Sequence, residues 1–200
     1  HVVDIPFLID TFYAIKTKPL IIYGLAETLE SLKENILNWK VWPDFSELDL
    51  INKSGKSIIF TEIDFGDVFE ISGLTIEPIK TCHTIASCGY KITKDGRTTI
   101  ITSDTGPCDE VVRVVKETKN LKNLVIECAF PSRFKKLAHD SMHLTPLLLE
   151  EELKKIGRTD LKIFINHLKP FYEAEIRSEL SAIPLLGSAE VLEDGYKIPY

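Results

Sequence analysis

Between residues 57 and 102 the chain reads as five short apolar strands in close succession, and from residue 109 onward it changes to an alternation of helix and strand. No other feature constrains the fold as much. The five strands are expected over 57–62, 68–72, 74–81, 87–93 and 98–102. The last two are joined by "KDGR", where Asp95-Gly96 supplies the positive φ angles of a tight hairpin turn. Downstream the pattern predicts a helix over 109–118, a strand "LVIECAF", a loop rich in charge and a helix over 146–156. Thr145 is its N-cap and Pro146 its first residue. The strand "LKIFIN", a helix over 173–182 and a last β pair near 190–199 complete the chain. Upstream, apolar residues at helical spacing predict a helix over 2–16, then the strand "LIIYG" and an amphipathic helix over 26–38. A β meander followed by β-α-β alternation requires sheets covered by helices, an α/β (α+β) layer fold, here in one domain over 1–200.

The remaining bulk properties mostly exclude. A net charge of −6 argues against nucleic-acid binding through overall charge, leaving only a local basic groove. No apolar run approaches the roughly 20 residues that span a bilayer. The four cysteines form no C-x-x-C pair, so free thiols in a reducing cytoplasm are expected. The chain begins with His1 and its first residues read as helix interior, from which a missing N-terminal part is expected.

Chemistry-bearing residues stand where the apolar strands end. "LTIEPIKTCH" ends at His83, "TTIITSD" at Asp104 and "KIFINH" at His167, while "NLVIECAF" carries Glu127. Strand-end loops are where rigid scaffolds present functional groups. A lone His at a strand end is more often a satisfied surface or core histidine, and Asp104 before Thr-Gly-Pro has the look of a turn residue. Glu127 is harder to dismiss, because a carboxylate in so apolar a strand needs a partner. Taken together, imidazoles and carboxylates at matching positions point to a zinc-type metal site. "DSMHLTP" adds His143 immediately before the helix start, where a carboxylate such as Glu127 would orient its ring and raise its basicity. His139 has no such context and reads as a surface residue.

The ordered set "HTIASCGY", "TSDTGP", "IECAFP", "MHLTP" and "NHLKP" resembles the metallo-β-lactamase-fold phosphodiesterases. It is most similar to the class II 3′,5′-cyclic-nucleotide phosphodiesterases, with the transfer-RNA 3′-processing enzyme RNase Z as a relative. The resemblance extends to "IYGLAETLESLKENILNWKVWPDF" and implies an αββα sandwich, here lacking its first strands, with two zinc ions at one sheet edge. Mn²⁺ or Fe²⁺ are the substitutes for zinc. It implies His83 as a ligand of the first zinc, Asp104 as the bridging carboxylate and His167 as a ligand of the second. Glu127 and His143 would be the pair beside the scissile phosphate, and Lys169 would help with phosphate charge. The family's His-x-His-x-Asp-His signature is absent, and His1 falls where its final histidine belongs, as a second-zinc ligand.

The implied activity is zinc-dependent hydrolysis of cyclic AMP or GMP to the 5′-monophosphate, with no membrane partner and a homodimer as the family's frequent assembly. The alternatives are RNase Z-type cleavage of transfer RNA, the one reading that brings in nucleic acid, and a non-catalytic fragment that binds a partner. A lactamase-fold hydrolase of thioesters or β-lactams is the third, disfavoured by "IECAFP" with "HLTP".

Overall fold

The tight turn predicted at Asp95-Gly96 is present in the computed structural model, which describes residues 2–199, with φ of 48° and 74° at the two residues. It joins two strands of a seven-stranded sheet. The chain divides into two compact units, residues 1–64 and 65–200.

In the first unit, helix α1 (Asp4–Tyr13) precedes strand β1 (Leu20–Gly24), helix α2 (Ala26–Asn35) and strand β2 (Ile58–Glu62). β1 and β2 pair in parallel, from Leu20 opposite Ile58 to Gly24 opposite Glu62. Ile9, Leu32, Leu37, Phe45 and Ile58 form its buried centre. Both helices are shorter than their hydrophobic periods suggested. α1 stops before the Lys-Thr-Lys-Pro stretch, which favours extended chain ahead of proline. α2 stops at Asn35, before the turn in which the Asn38 carboxamide accepts from the Lys40 and Val41 backbone amides.

The second unit holds strands β3 (Phe69–Ile71), β4 (Leu74–Lys80), β5 (Cys88–Lys94), β6 (Arg97–Ile101), β7 (Leu121–Glu127), β8 (Lys162–Asn166) and β9 (Glu190–Val191). They lie side by side in sequence order. The pairs from β3 to β6 are antiparallel and those from β6 to β9 parallel. Because β5 is antiparallel to both its neighbours, β4 runs the same way as β6, β7 and β8. All four therefore end at one edge.

Helices α3 (Asp109–Glu117), α5 (Pro146–Ile156) and α6 (Glu173–Ala182) cover one face, and the short α4 (Lys135–Asp140) precedes α5. Val115 of α3, Leu149 of α5 and Ile176 of α6 pack with Ile100, Leu124, Ile126 and Ile165 of the sheet, all fully buried or nearly so. Each such aliphatic side chain contributes about 1.5–3 kcal/mol through burial. α5 has the ends its sequence foretold. The Thr145 hydroxyl accepts from the Leu148 amide at 3.3 Å, and Gly157 closes the helix at φ 66°. On the opposite face Val125 and Phe164 are buried, and the Tyr196 ring lies 5.7 Å from that of Phe164.

The structure corrects three local expectations. β7 ends at Glu127 rather than Phe130, because the Ala129 and Phe130 amides leave the ladder to donate to the Leu144 carbonyl. It begins earlier, at Leu121, with the Asn123 carboxamide satisfied by the Thr99 hydroxyl at 3.1 Å. The charged loop contains α4, a helix too short for its period to show. In place of a last β pair there is the single two-residue β9, parallel to β8, after which the tail turns so that the Pro199 carbonyl accepts from Asn123.

The sheet is tight where β5 meets β6. A Cβ on Gly89 would lie 2.5 Å from the Ile101 carbonyl oxygen and 2.9 Å from that of Thr102. Gly89→Ala is therefore expected to destabilise the protein by about 3 kcal/mol. The readout is a lowered denaturation midpoint with an unchanged slope. A midpoint equal to the parent's would show that the strands separate freely at this point.

Among the described residues no helix is long and apolar enough to cross a membrane. All four cysteines are free.

Candidate metal centre

The common edge gathers the predicted residues. His83 follows β4, Asp104 follows β6, Glu127 is the last residue of β7 and His167 is the first after β8. His143 arrives from the turn between α4 and α5, pinned by its amide donating to the Ala138 carbonyl at 2.8 Å. Non-glycine residues with positive φ are uncommon and cost roughly 1–3 kcal/mol each. Here they include Ser103 at 56°, Met142 at 53° and His167 at 62°. Two of these immediately precede Asp104 and His143, and the third is itself a site residue. Backbone strain of this kind thus falls where site side chains are aimed, and also elsewhere in the chain, at Trp39, Lys53, Ser72 and Asp95.

Glu127 organises the centre. Its side chain is wholly buried, and three donors hold its carboxylate. The Thr105 amide reaches Oε1 at 2.8 Å, His143 Nδ1 reaches the same oxygen at 2.6 Å, and the Leu144 amide reaches Oε2 at 3.2 Å. A carboxylate only accepts, so His143 carries its proton on Nδ1 in the neutral form and presents Nε2 as a lone pair. His83 is fixed likewise, its Nδ1 donating to the Met142 carbonyl at 3.0 Å and leaving Nε2 bare. His167 Nδ1 lies 3.1 Å from Asp104 Oδ1. Burial pushes the His167 imidazole below its ordinary value, against the opposing pull of Asp104 and Glu127, which favours the neutral form that can ligate.

The rings crowd together. His143 stacks on His167 at 5.3 Å and 17°, and its centroid is 4.9 Å from that of His83. His83, Asp104 and His143 each offer a donor atom such that the three lie within 4.8 Å of one another. Nitrogen and oxygen donors of this kind, gathered this closely, fit a zinc-class divalent ion. Among the described residues no thiol joins this cluster. Burial, reinforced by Cys108, pushes the Cys82 thiol up to about 12, and burial pushes Cys128 far up as well.

His1 lies outside the described residues. Lys169 sits on the same edge, its ammonium 5.8 Å from the Phe130 ring, which in turn meets His143 edge-on at 5.7 Å. His139 is on the surface. The sequence reading did not anticipate that His143 joins His83 and Asp104 in one metal-sized cluster. It also missed Thr105, whose hydroxyl accepts from the Cys82 amide at 3.1 Å while its own amide holds Glu127. The Thr-Gly-Pro after Asp104 was the available signal. A Cβ on Gly106 would lie 3.2 Å from the Met142 backbone, so the loop passes close to the turn that aims His143.

This sheet, with its metal-capable edge, is the metallo-β-lactamase fold. The metallo-β-lactamase fold protein YhfI from Bacillus subtilis superposes with a TM-score of 0.71 at 18% identity, over 98% of this chain and 72% of that one. The short form of human tRNase Z superposes with a TM-score of 0.66 at 16% identity, over 100% of this chain and 75% of that one. In sequence, a probable 3′,5′-cyclic-nucleotide phosphodiesterase of Yersinia pestis is 26% identical over 179 residues. That alignment takes in 76% of this chain, which spans about half the relative's length, 50%. No family model matches the sequence.

Proposed function

We propose that the chain serves a metal-dependent phosphodiesterase whose substrate is a 3′,5′-cyclic nucleotide, opened to the 5′-monophosphate, within one metallo-hydrolase domain in the cytoplasm. The observation that carries this reading is the Glu127–His143 pair set against His83 and Asp104 at a single sheet edge. The phosphodiesterase name of the Yersinia pestis relative supports the substrate class.

His83, Asp104 and His167 would hold the metal, with zinc first among the candidates and His1 as a further ligand. A divalent ion bound there supplies Lewis-acid polarisation of a phosphoryl oxygen and acidifies a water. The protein's own groups do the rest. Glu127 keeps His143 in one tautomer and orientation and stabilises its imidazolium. Nε2, a lone pair in the resting protein, takes the proton that the attacking water releases and then delivers it to the 3′ oxygen as the ester bond breaks. Lys169 neutralises a phosphate oxygen from the flank. Met142, through its carbonyl, keeps the His83 lone pair aimed inward.

A metal-ligand role for His143 fits the same donor cluster, and one variant separates the two. His143→Ala is expected to retain its metal and to lose hydrolysis by about 10²–10⁴-fold. Zinc lost in step with activity would reassign His143 as a ligand. The test of the whole reading is zinc content measured beside 5′-AMP release from cyclic AMP, with precursor transfer RNA as the competing substrate. Metal-replete protein that leaves cyclic nucleotides intact while trimming transfer RNA would replace this reading with the RNase Z one.

A further inference from the structure

Phe171 is the most exposed large hydrophobic side chain among the described residues, at 90%. Single exposed apolar residues are ordinary on protein surfaces. This one differs in where it stands and how it is held. It lies four residues after His167, on the loop that also carries Lys169, so at most about 14 Å of chain separates it from the metal edge. Its backbone is in a 3-10 turn, Pro170–Tyr172, that runs directly into α6. Proline begins the turn, and the Tyr172 amide donates to the Lys169 carbonyl at 2.8 Å.

Behind the ring stands a locked aromatic stack. Tyr172 meets Phe171 at 5.2 Å and 85°, and Phe134 meets Tyr172 at 5.1 Å. The Arg133 guanidinium lies 4.0 Å from the Phe134 ring and 5.5 Å from that of Tyr172. Both of its bonds to Glu175, at 2.7 and 3.1 Å, neutralise it there. Arg133 thus braces the stack and is spent as an anion binder. Lys169 is in no ion pair among the described residues, and its ammonium sits over Phe130 beside His143. The loop after β8 therefore offers, in order, a site imidazole, a cation and a bare aromatic face on a rigid mount. That order suits a phosphate and then a flat ring.

Resting on the phosphodiesterase reading, we infer that Phe171 is the platform on which the nucleobase of the substrate stacks. Aromatic stacking tolerates any base, because every base has a π face. Phe171 thus makes the site prefer nucleotides over base-free phosphates without choosing between adenine and guanine. It is a binding residue and takes no part in the bond-breaking step.

The test is equilibrium binding, which needs no turnover. Adenosine 5′-monophosphate and ribose 5-phosphate are titrated into the parent protein, Phe171→Ala and Phe171→Trp. The parent is expected to bind adenosine 5′-monophosphate about tenfold more tightly than ribose 5-phosphate, the effect of one stacked base. Phe171→Ala should erase that preference while leaving ribose 5-phosphate affinity unchanged, and Phe171→Trp should restore it. A preference untouched in Phe171→Ala, an equal loss for both ligands, or no preference in the parent each overturns the inference. A base preference in protein that hydrolyses no phosphodiester upholds it and removes only the catalytic reading.

Discussion

Asp104→Ala is expected to empty the site of metal and to lower phosphodiester hydrolysis by at least roughly a thousandfold, the equivalent of several kcal/mol of lost charge stabilisation. Asp104 supplies the single negative charge in the donor cluster with His83 and His143, and it also positions His167 at 3.1 Å. Replacing it removes the carboxylate and leaves three imidazoles facing one another. Neutral imidazoles still bind zinc, but without the anionic donor the ion loses both charge compensation and the group that ties His167 to the cluster. The fold should survive, because Asp104 lies after the end of β6 and its loop keeps its other anchors. Its loop is anchored by neighbours, through the Gly106 amide on the Cys82 carbonyl at 2.7 Å and the Thr105 amide on Glu127. Zinc content and rate should therefore fall together at unchanged circular dichroism. A variant that keeps its zinc and its rate would remove Asp104 from the site.

Glu127→Ala should act on stability as strongly as Asp104→Ala acts on the metal. One buried carboxylate joins the exits of β6 and β7 to the turn that begins α5, through Thr105, Leu144 and His143. Truncation leaves two buried amides and an imidazole N–H without their acceptor, in a place that water does not reach. The expected cost is about 3–5 kcal/mol. In a chain of this size that is roughly 10 °C of melting temperature. Glu127→Gln keeps the volume but brings an amide N–H against donors, so it should fall between the parent and the alanine variant. Thermal denaturation of the three proteins checks the order. An alanine variant that melts with the parent would mean the loops are held elsewhere. Loss of activity in Glu127→Gln beyond its loss of folded protein then measures what Glu127 does for His143.

Most elements could be read from local signals, because each is fixed by residues close in sequence. β1, α5 and α6 have the bounds that their apolar runs, Thr-Pro start and Gly stop indicate. The Asp-Gly hairpin needs only two residues able to adopt positive φ. The local signal failed where long-range partners decide the matter. β7 is cut short at Glu127 by the Leu144 carbonyl, and Leu121–Asn123 are drawn into the strand by β6 and β8 on either side. β9 is two residues long because its one partner is the edge of β8.

The site divides the same way. That His83, Asp104, Glu127 and His167 stand at strand ends is written in the chain, since an apolar run followed by a polar residue is a local pattern. That the strands end at one edge is not, for it depends on β5 lying antiparallel between β4 and β6, a pairing made across the sheet. The Nδ1 proton of His83 is placed by a carbonyl 59 residues away, and that of His143 by a carboxylate 16 residues away. The sequence by itself determined which donors are present and where each strand stops. Only the tertiary structure decided which way each imidazole faces and that His143 shares the cluster, because hydrogen bonds between distant loops, not propensities within them, set those angles.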